Sequence, residues 1–129
     1  MPRVLAAVPI FRVADVAVSL AYYTDALGFS SSGVYRHDPT GRDGYATLAR
    51  DGIRIHLSSY AADGPFGTVA YFYVAGIDEL HAEWSAAGAD VLYDPDAVSK
   101  GPGDQPWGTR EIHVRDPDGN VLRFGQKLE

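Results

Sequence analysis

The chain has 129 residues, 46% of them hydrophobic, and a formal net charge of -6, which is enough apolar material for one domain and the wrong sign for nucleic-acid phosphates or an anionic membrane surface. It contains no cysteine, which removes disulfides, thiolate metal ligands and cysteine nucleophiles together and favours a cytoplasmic address. No leader-like stretch opens it and no apolar run nears the roughly 20 residues that cross a bilayer, so a soluble protein with neither nucleic-acid nor membrane partner is expected, its acidity favouring a cationic or neutral small molecule.

Val4 to Val13 is rich in apolar and β-branched residues and is predicted to be a strand. Asp15 then caps a helix carrying Val16, Leu20, Tyr23 and Leu27 on one face, and Gly28 ends it. Three strands follow, Phe29 to Arg36, Tyr45 to Arg50 and Ile53 to Ser59, separated by turns at Asp38-Pro39-Thr40-Gly41 and Asp51-Gly52. The order is β-α-β-β-β.

The same order returns. Val69 to Val74 reads as a strand, Asp78 lies near the start of a helix with Ile77, Leu80, Trp84 and Ala87 on one face, and Gly88 closes it. Val91 to Tyr93, Arg110 to Val114 and Val121 to Gly125 complete the second set. Aligning the halves puts FRVAD beside FYVAG and DGIRIHL beside DGNVLRF, an internal duplication. The expected fold is α+β: a single domain over 1–129 with module one over about 1–60 and module two over about 68–127. Curved mixed sheets share a concave cleft, with helices outside.

Period-two alternation sorts the strand side chains. Ile53, Ile55 and Leu57 take the core face, turning Arg54, His56 and Ser58 to the open one. Leu122 and Phe124 go inward and leave Arg123 outward, aligned with His56 by the repeat. Ile112 and Val114 go inward, with Glu111 and His113 on the open face; Tyr71 and Tyr73 oppose Phe72. The candidate ligand-binding residues are therefore Tyr71, Tyr73, Trp107, His56, Glu111, His113 and Arg123, joined by Tyr35 and Tyr45 of the first module. Aromatic rings with a few polar groups suit a flat organic ligand. Trp107 sits in a Gly/Pro-rich loop over Ser99 to Gly108, as a pocket wall, a lid or an anchor pinning the loop. Trp84 and Tyr23 are assigned to the core by their helical spacing, and Asp116-Pro117-Asp118-Gly119 to a tight turn rather than to paired catalytic carboxylates.

The stretches AVPIFRVADVAVSLAYYTDALGF, VAYFYVAGIDELHAEW and GDQPWGTREIHVRDPDGNVLRFGQ resemble the glyoxalase, bleomycin-resistance and extradiol-dioxygenase (vicinal oxygen chelate) superfamily over nearly the whole chain. AVP, DELHAEW and QPWG together are closest to its bleomycin-resistance branch. The resemblance implies a homodimer whose clefts draw on both subunits, with the first strand exchanged around Pro9. It also implies that metal-dependent relatives carry His, Glu or Gln where this chain has Val8, His56, Val69 and Arg123. Valine has no donor atom and a guanidinium has no acceptor lone pair, so no metal and no cofactor are expected. A substitute set of His56, Glu111 and His113 ranks far lower. His37 falls in a polar turn and His81 on an exposed helix face. There is no nucleophile elbow and no phosphate loop.

The resulting expectation is a non-enzymatic protein that sequesters a bleomycin-like or other aromatic natural-product antibiotic in a dimer cleft. Arg54 and Arg123 on the open face speak against bleomycin itself and leave room for an enediyne or a mitomycin-like quinone. The alternatives are a lyase or isomerase of the same fold acting through His56 and Glu111, and a carrier or sensor of small molecules.

Overall fold

The structure, a computed structural model, describes residues 1–38, 43–92 and 101–129. The first module opens with β1 (Ile10–Arg12) and α1 (Val16–Ala21), which tightens the chain through Asp15, whose carboxylate accepts from the Ala17 and Val18 amides. Beyond Ala21 the helix widens into a π-helical turn over Tyr22–Ala26, with the Leu27 amide donating to the Tyr22 carbonyl. Strands β2 (Ser30–Tyr35), β3 (Tyr45–Arg50) and β4 (Ile53–Ser58) follow. Their sheet runs β1-β4-β3-β2, with β1 parallel to β4.

The second module repeats this layout. It comprises β5 (Val69–Tyr73), α2 (Ile77–Ala86), β6 (Asp90–Leu92), a two-residue β7 (Gly103–Asp104), β8 (Thr109–Arg115) and β9 (Val121–Lys127). The order is β5-β9-β8-β6, with β7 also on β8 and β5 parallel to β9. The positions of β1, β4, β3 and β2 recur as β5, β9, β8 and β6, which is the structural form of the sequence repeat.

One hydrophobic core joins the modules. Phe11, Tyr23 and Leu27 from the first meet Trp84, Ile112, Leu122 and Phe124 from the second, all buried. The Leu27 carbonyl, left over at the end of the π turn, accepts from Trp84 Nε1 at 3.1 Å and from Arg50 Nη1 at 2.6 Å. Arg50 also holds Glu83 of α2 through two hydrogen bonds of 2.7 and 3.0 Å. Gly28 has φ +76°, which favours glycine, and a Cβ there would come within 2.8 Å of that Arg50 nitrogen and press on its bond to Leu27. Asp116 anchors the DPDG turn: its carboxylate accepts from the Asp118 and Asn120 amides and from the Tyr23 hydroxyl. Burial pushes the Tyr23 phenol upward, so it stays a donor.

Three expectations need correction. The first strand begins at Ile10 rather than Val4, because Pro9 has no amide hydrogen to donate and the last link to β4 is its carbonyl, accepting from His56. Val4 and Leu5 are 96% and 82% exposed. Ile53 sits at the mouth of the β3–β4 hairpin, half exposed, and so does not join Ile55 and Leu57 in the core; Ser58, assigned to the open face, is buried and donates to Asp63 at 2.5 Å. The Asp38–Gly41 turn, Tyr93 and the start of the Ser99–Gly108 loop lie outside the described residues in whole or in part.

Candidate ligand-binding site

Strand register lays out the open face of the second sheet in rows. Tyr71 stands beside Arg123 and Arg123 beside His113; one step on, Tyr73 stands beside Gly125 and Gly125 beside Glu111. A side chain at position 125 is incompatible with this placement of Tyr71, because its Cβ would fall on the Tyr71 hydroxyl and within 2.7 Å of Cζ. The glycine lets the Tyr71 ring lie across β9 and reach Glu111 on β8.

Glu111 is 1% exposed and accepts four hydrogen bonds. Its Oε2 takes Thr109 Oγ1 at 2.6 Å, the Tyr71 hydroxyl at 2.7 Å and Trp107 Nε1 at 2.9 Å. Its Oε1 takes Arg123 Nη2 at 2.7 Å, with His113 Nε2 at 4.0 Å. Three of these bonds fall on Oε2 and one on Oε1, so most of the roughly four lone-pair positions a carboxylate offers are taken. Burial works against the charge, but the bonds from Thr109, Trp107, Tyr71 and Arg123 outweigh it and bring Glu111 down to about 2. Burial and the neighbouring carboxylate push the Tyr71 phenol up, keeping its proton in place.

Trp107 reaches this carboxylate because its loop is a hairpin. Gly103 and Asp104 pair with Glu111 and Arg110, and the Gln105 amide donates to the Thr109 carbonyl at 2.7 Å. The indole is 62% exposed yet tied at its nitrogen, the geometry of a fixed wall rather than of an anchor buried beneath its loop. Tyr71, Tyr73 and Trp107 bound a cavity of about 390 Å³ with Thr109, Glu111 and Lys127. The Tyr71 and Tyr73 rings meet edge to face at 5.1 Å, and each carries a cation: Arg123 at 5.3 Å over Tyr71 and Lys127 at 5.1 Å over Tyr73.

The first-module candidates lie elsewhere. Tyr45 and His56 are neighbours on the first sheet, where the tyrosine hydroxyl and His56 Nδ1 hydrogen-bond at 2.7 Å. Tyr35 is exposed beside Tyr45 on β2. None of the three lines the Tyr71–Trp107 cavity. Arg54 comes nearer, sharing with Tyr71, Val8 and Pro9 a second groove of about 570 Å³. Sequence reasoning missed Thr109, Gly125 and Lys127. Carrying the alternation two residues beyond Glu111 and Gly125 reaches Thr109 and Lys127; the role of Gly125 depends on a spatial approach that no period reveals.

A metal of the superfamily type does not fit these residues. Val8 and Val69 have no donor atom, the Arg123 guanidinium has no acceptor lone pair and is engaged with Glu111, and Glu111 already accepts four hydrogen bonds. Among the described residues no three His, Asp or Glu side chains cluster suitably for an ion.

The sequence profile of the glyoxalase superfamily matches residues 3–129. A bleomycin resistance protein of Geobacillus stearothermophilus is 31% identical over 97% of this chain and 98% of its own length. The chain belongs to the glyoxalase superfamily, in its bleomycin-resistance branch. Among solved structures, this glyoxalase-superfamily chain is similar to a bleomycin-binding protein from Streptomyces verticillus complexed with copper(II)-bleomycin, at 32% identity and a TM-score of 0.70, covering 100% of this chain and 99% of that one. It is also similar to a glyoxalase-related enzyme from Clostridium phytofermentans, at 25% identity and a TM-score of 0.77, covering 98% of each chain. Glyoxalase-superfamily membership thus embraces both binding proteins and enzymes, and the side chains of the site have to decide between them. No helix among the described residues is long and apolar enough to cross a membrane.

Proposed function

We propose that this protein is a cytoplasmic antibiotic-binding protein that sequesters a planar aromatic natural product without changing it. The observation that carries this reading is the aromatic wall of Tyr71, Tyr73 and Trp107, two of whose rings are held by one buried carboxylate. A wall fixed before the ligand arrives loses little side-chain entropy on binding, and each stacked ring pair adds about 0.5–1.5 kcal/mol beyond burial. Thr109, Glu111 and Lys127 supply the polar lining, while Arg123, over the Tyr71 ring, and His113, beside Arg123, stand outside the cavity. The bleomycin-binding and bleomycin-resistance relatives support the antibiotic class.

A binding role rather than a catalytic one is supported by the same bonds. A general base needs a free lone pair and an affinity for protons near neutrality. Glu111, at about 2, is far from that range, and His56, bonded at Nδ1 to Tyr45, stands on the other sheet and does not line the Tyr71–Trp107 cavity. The proposed assembly is a homodimer in which the open face of the first sheet, with Tyr35, Tyr45 and His56, covers the wall of the partner, and in which residues before Pro9 are exchanged. The exposure of Val4 and Leu5 supports an arm that finds its contacts elsewhere.

The test is calorimetric titration of the purified protein with aromatic antibiotics, bleomycin and a mitomycin-type quinone among them, followed by mass spectrometry of the recovered drug. Saturable binding with unchanged mass is expected. A shifted drug mass would make the protein an enzyme and sink the sequestration reading.

A further inference from the structure

The net charge of -6 suggests a cationic ligand, yet the open faces carry the opposite local sign. The acidic side chains sit mainly on helices and turns or are already engaged. Glu83 and Asp51 face Arg50, Asp78 and Asp104 hold Arg110, and Asp116 caps its own turn. On the open face of the second sheet, Asp90 lies 3.9 Å from Arg115 and Glu111 is neutralised by Arg123. On the first, Asp63 accepts from Ser58.

Two cations remain. Lys127 at the rim of the aromatic cavity and Arg54 in the groove on the other side of Tyr71 form no ion pair among the described residues. Charges separated by more than about 8 Å are largely screened at physiological salt, so a bound ligand responds to these two groups more than to the distant acidic helices.

We infer that the ligand of the Tyr71–Tyr73–Trp107 wall is a planar aromatic acid, its ring stacked on the wall and its carboxylate or phenolate oxygen directed to Lys127 on one side or Arg54 on the other. The inference rests on the binding role proposed above and narrows its ligand class. Lys127 Nζ lies 5.1 Å from the centre of the Tyr73 ring and lines the cavity, within reach of an oxygen on a ligand stacked against Tyr71 and Trp107. A cationic drug would have to displace it or lie against it.

Three probes of one shape decide the matter: anthraquinone-2-carboxylate, its primary amide, and 2-aminomethylanthraquinone, each titrated against the full chain by quenching of Trp107, with Trp84 buried in the core as a constant background. The carboxylate is expected to bind about fivefold more tightly than the amide, the gain of one exposed ion pair, and the amine most weakly. Lys127→Glu should abolish that order, Arg54→Gln should reduce it, and both variants should keep the near-ultraviolet circular dichroism of the parent. Equal or tighter binding of the amine, or an order untouched by both substitutions, overturns the acid inference and leaves the aromatic wall standing as a site. Failure of all three probes to quench Trp107 overturns the wall as a binding surface and the acid inference with it.

Discussion

Glu111 shows how one buried residue can organise a site. Its carboxylate, at the base of the cavity, fixes Tyr71, Trp107 and Arg123 by hydrogen bonds of 2.7 to 2.9 Å. Because its folded value, about 2, lies below that of an exposed glutamate, its stabilising contribution is present at and above the ordinary carboxylate range and is lost as pH falls through about 2. Trp107 emission should accordingly hold constant from pH 7 to roughly 4 and change only in strong acid. A transition centred near 5 would mean that the carboxylate is not bonded as described. Glu111→Gln leaves a single acceptor oxygen for four donors, and the expected cost is about 1–3 kcal/mol in denaturant unfolding, together with weaker binding. Trp107→Ala should separate the two effects: binding falls by roughly 1–3 kcal/mol, while the midpoint of unfolding scarcely moves, since the ring is mostly exposed. The sequence marked Glu111 as open-face by alternation. What it could not register is the crowd of donors from β5, β7–β8 and β9 that buries it.

At the level of elements, alternation and helical spacing were legible wherever a segment's own neighbours determine its face. Tyr45–Arg50 and Ile53–Ser58 form the expected hairpin, and Val16, Tyr23, Leu27, Ile77 and Trp84 are buried. The misses fall where a distant partner sets the outcome. The π turn at Tyr22–Ala26 carries Tyr23 to Asp116 and the Leu27 carbonyl to Trp84, and β7 exists only because β8 offers it an edge. Two substitutions probe this scale. Trp84→Ala removes a fully buried ring and the donor to Leu27, with an expected loss of about 3–5 kcal/mol in unfolding free energy. Gly125→Ala should leave β9 paired but drive the Tyr71 ring off Glu111, so that ligand affinity drops at least as far as in Tyr71→Phe, which removes only the hydroxyl. Equal affinity of Gly125→Ala and the parent would show that the ring finds another route to the wall.

Across the whole molecule, the duplication gives two sheets of the same strand order, and this separates the candidate residues into Tyr35, Tyr45 and His56 on one and the Tyr71–Trp107 wall on the other. Sequence pattern assigns a face to each side chain but says nothing of how two sheets are set against each other, which is why one list of open-face residues proved to be two groups. In the proposed homodimer, one protomer's first sheet meets its partner's wall, and the segment before Pro9 ties the two together. The segment makes no strand pairing in its own protomer, and β1 begins only at Ile10. Removing residues 2–8 should therefore leave the fold of each protomer intact while loosening the pair. In sedimentation velocity the parent is expected to run as a dimer and the truncated chain as a monomer at the same concentration, with matching far-ultraviolet circular dichroism. Ligand binding should fall with dimerisation rather than with folding, because Tyr35, Tyr45 and His56 of the partner then no longer close the cleft. A truncated chain that stays dimeric would remove the exchanged arm from the assembly, and one that turns monomeric yet binds with parental affinity would confine the site to the second module alone.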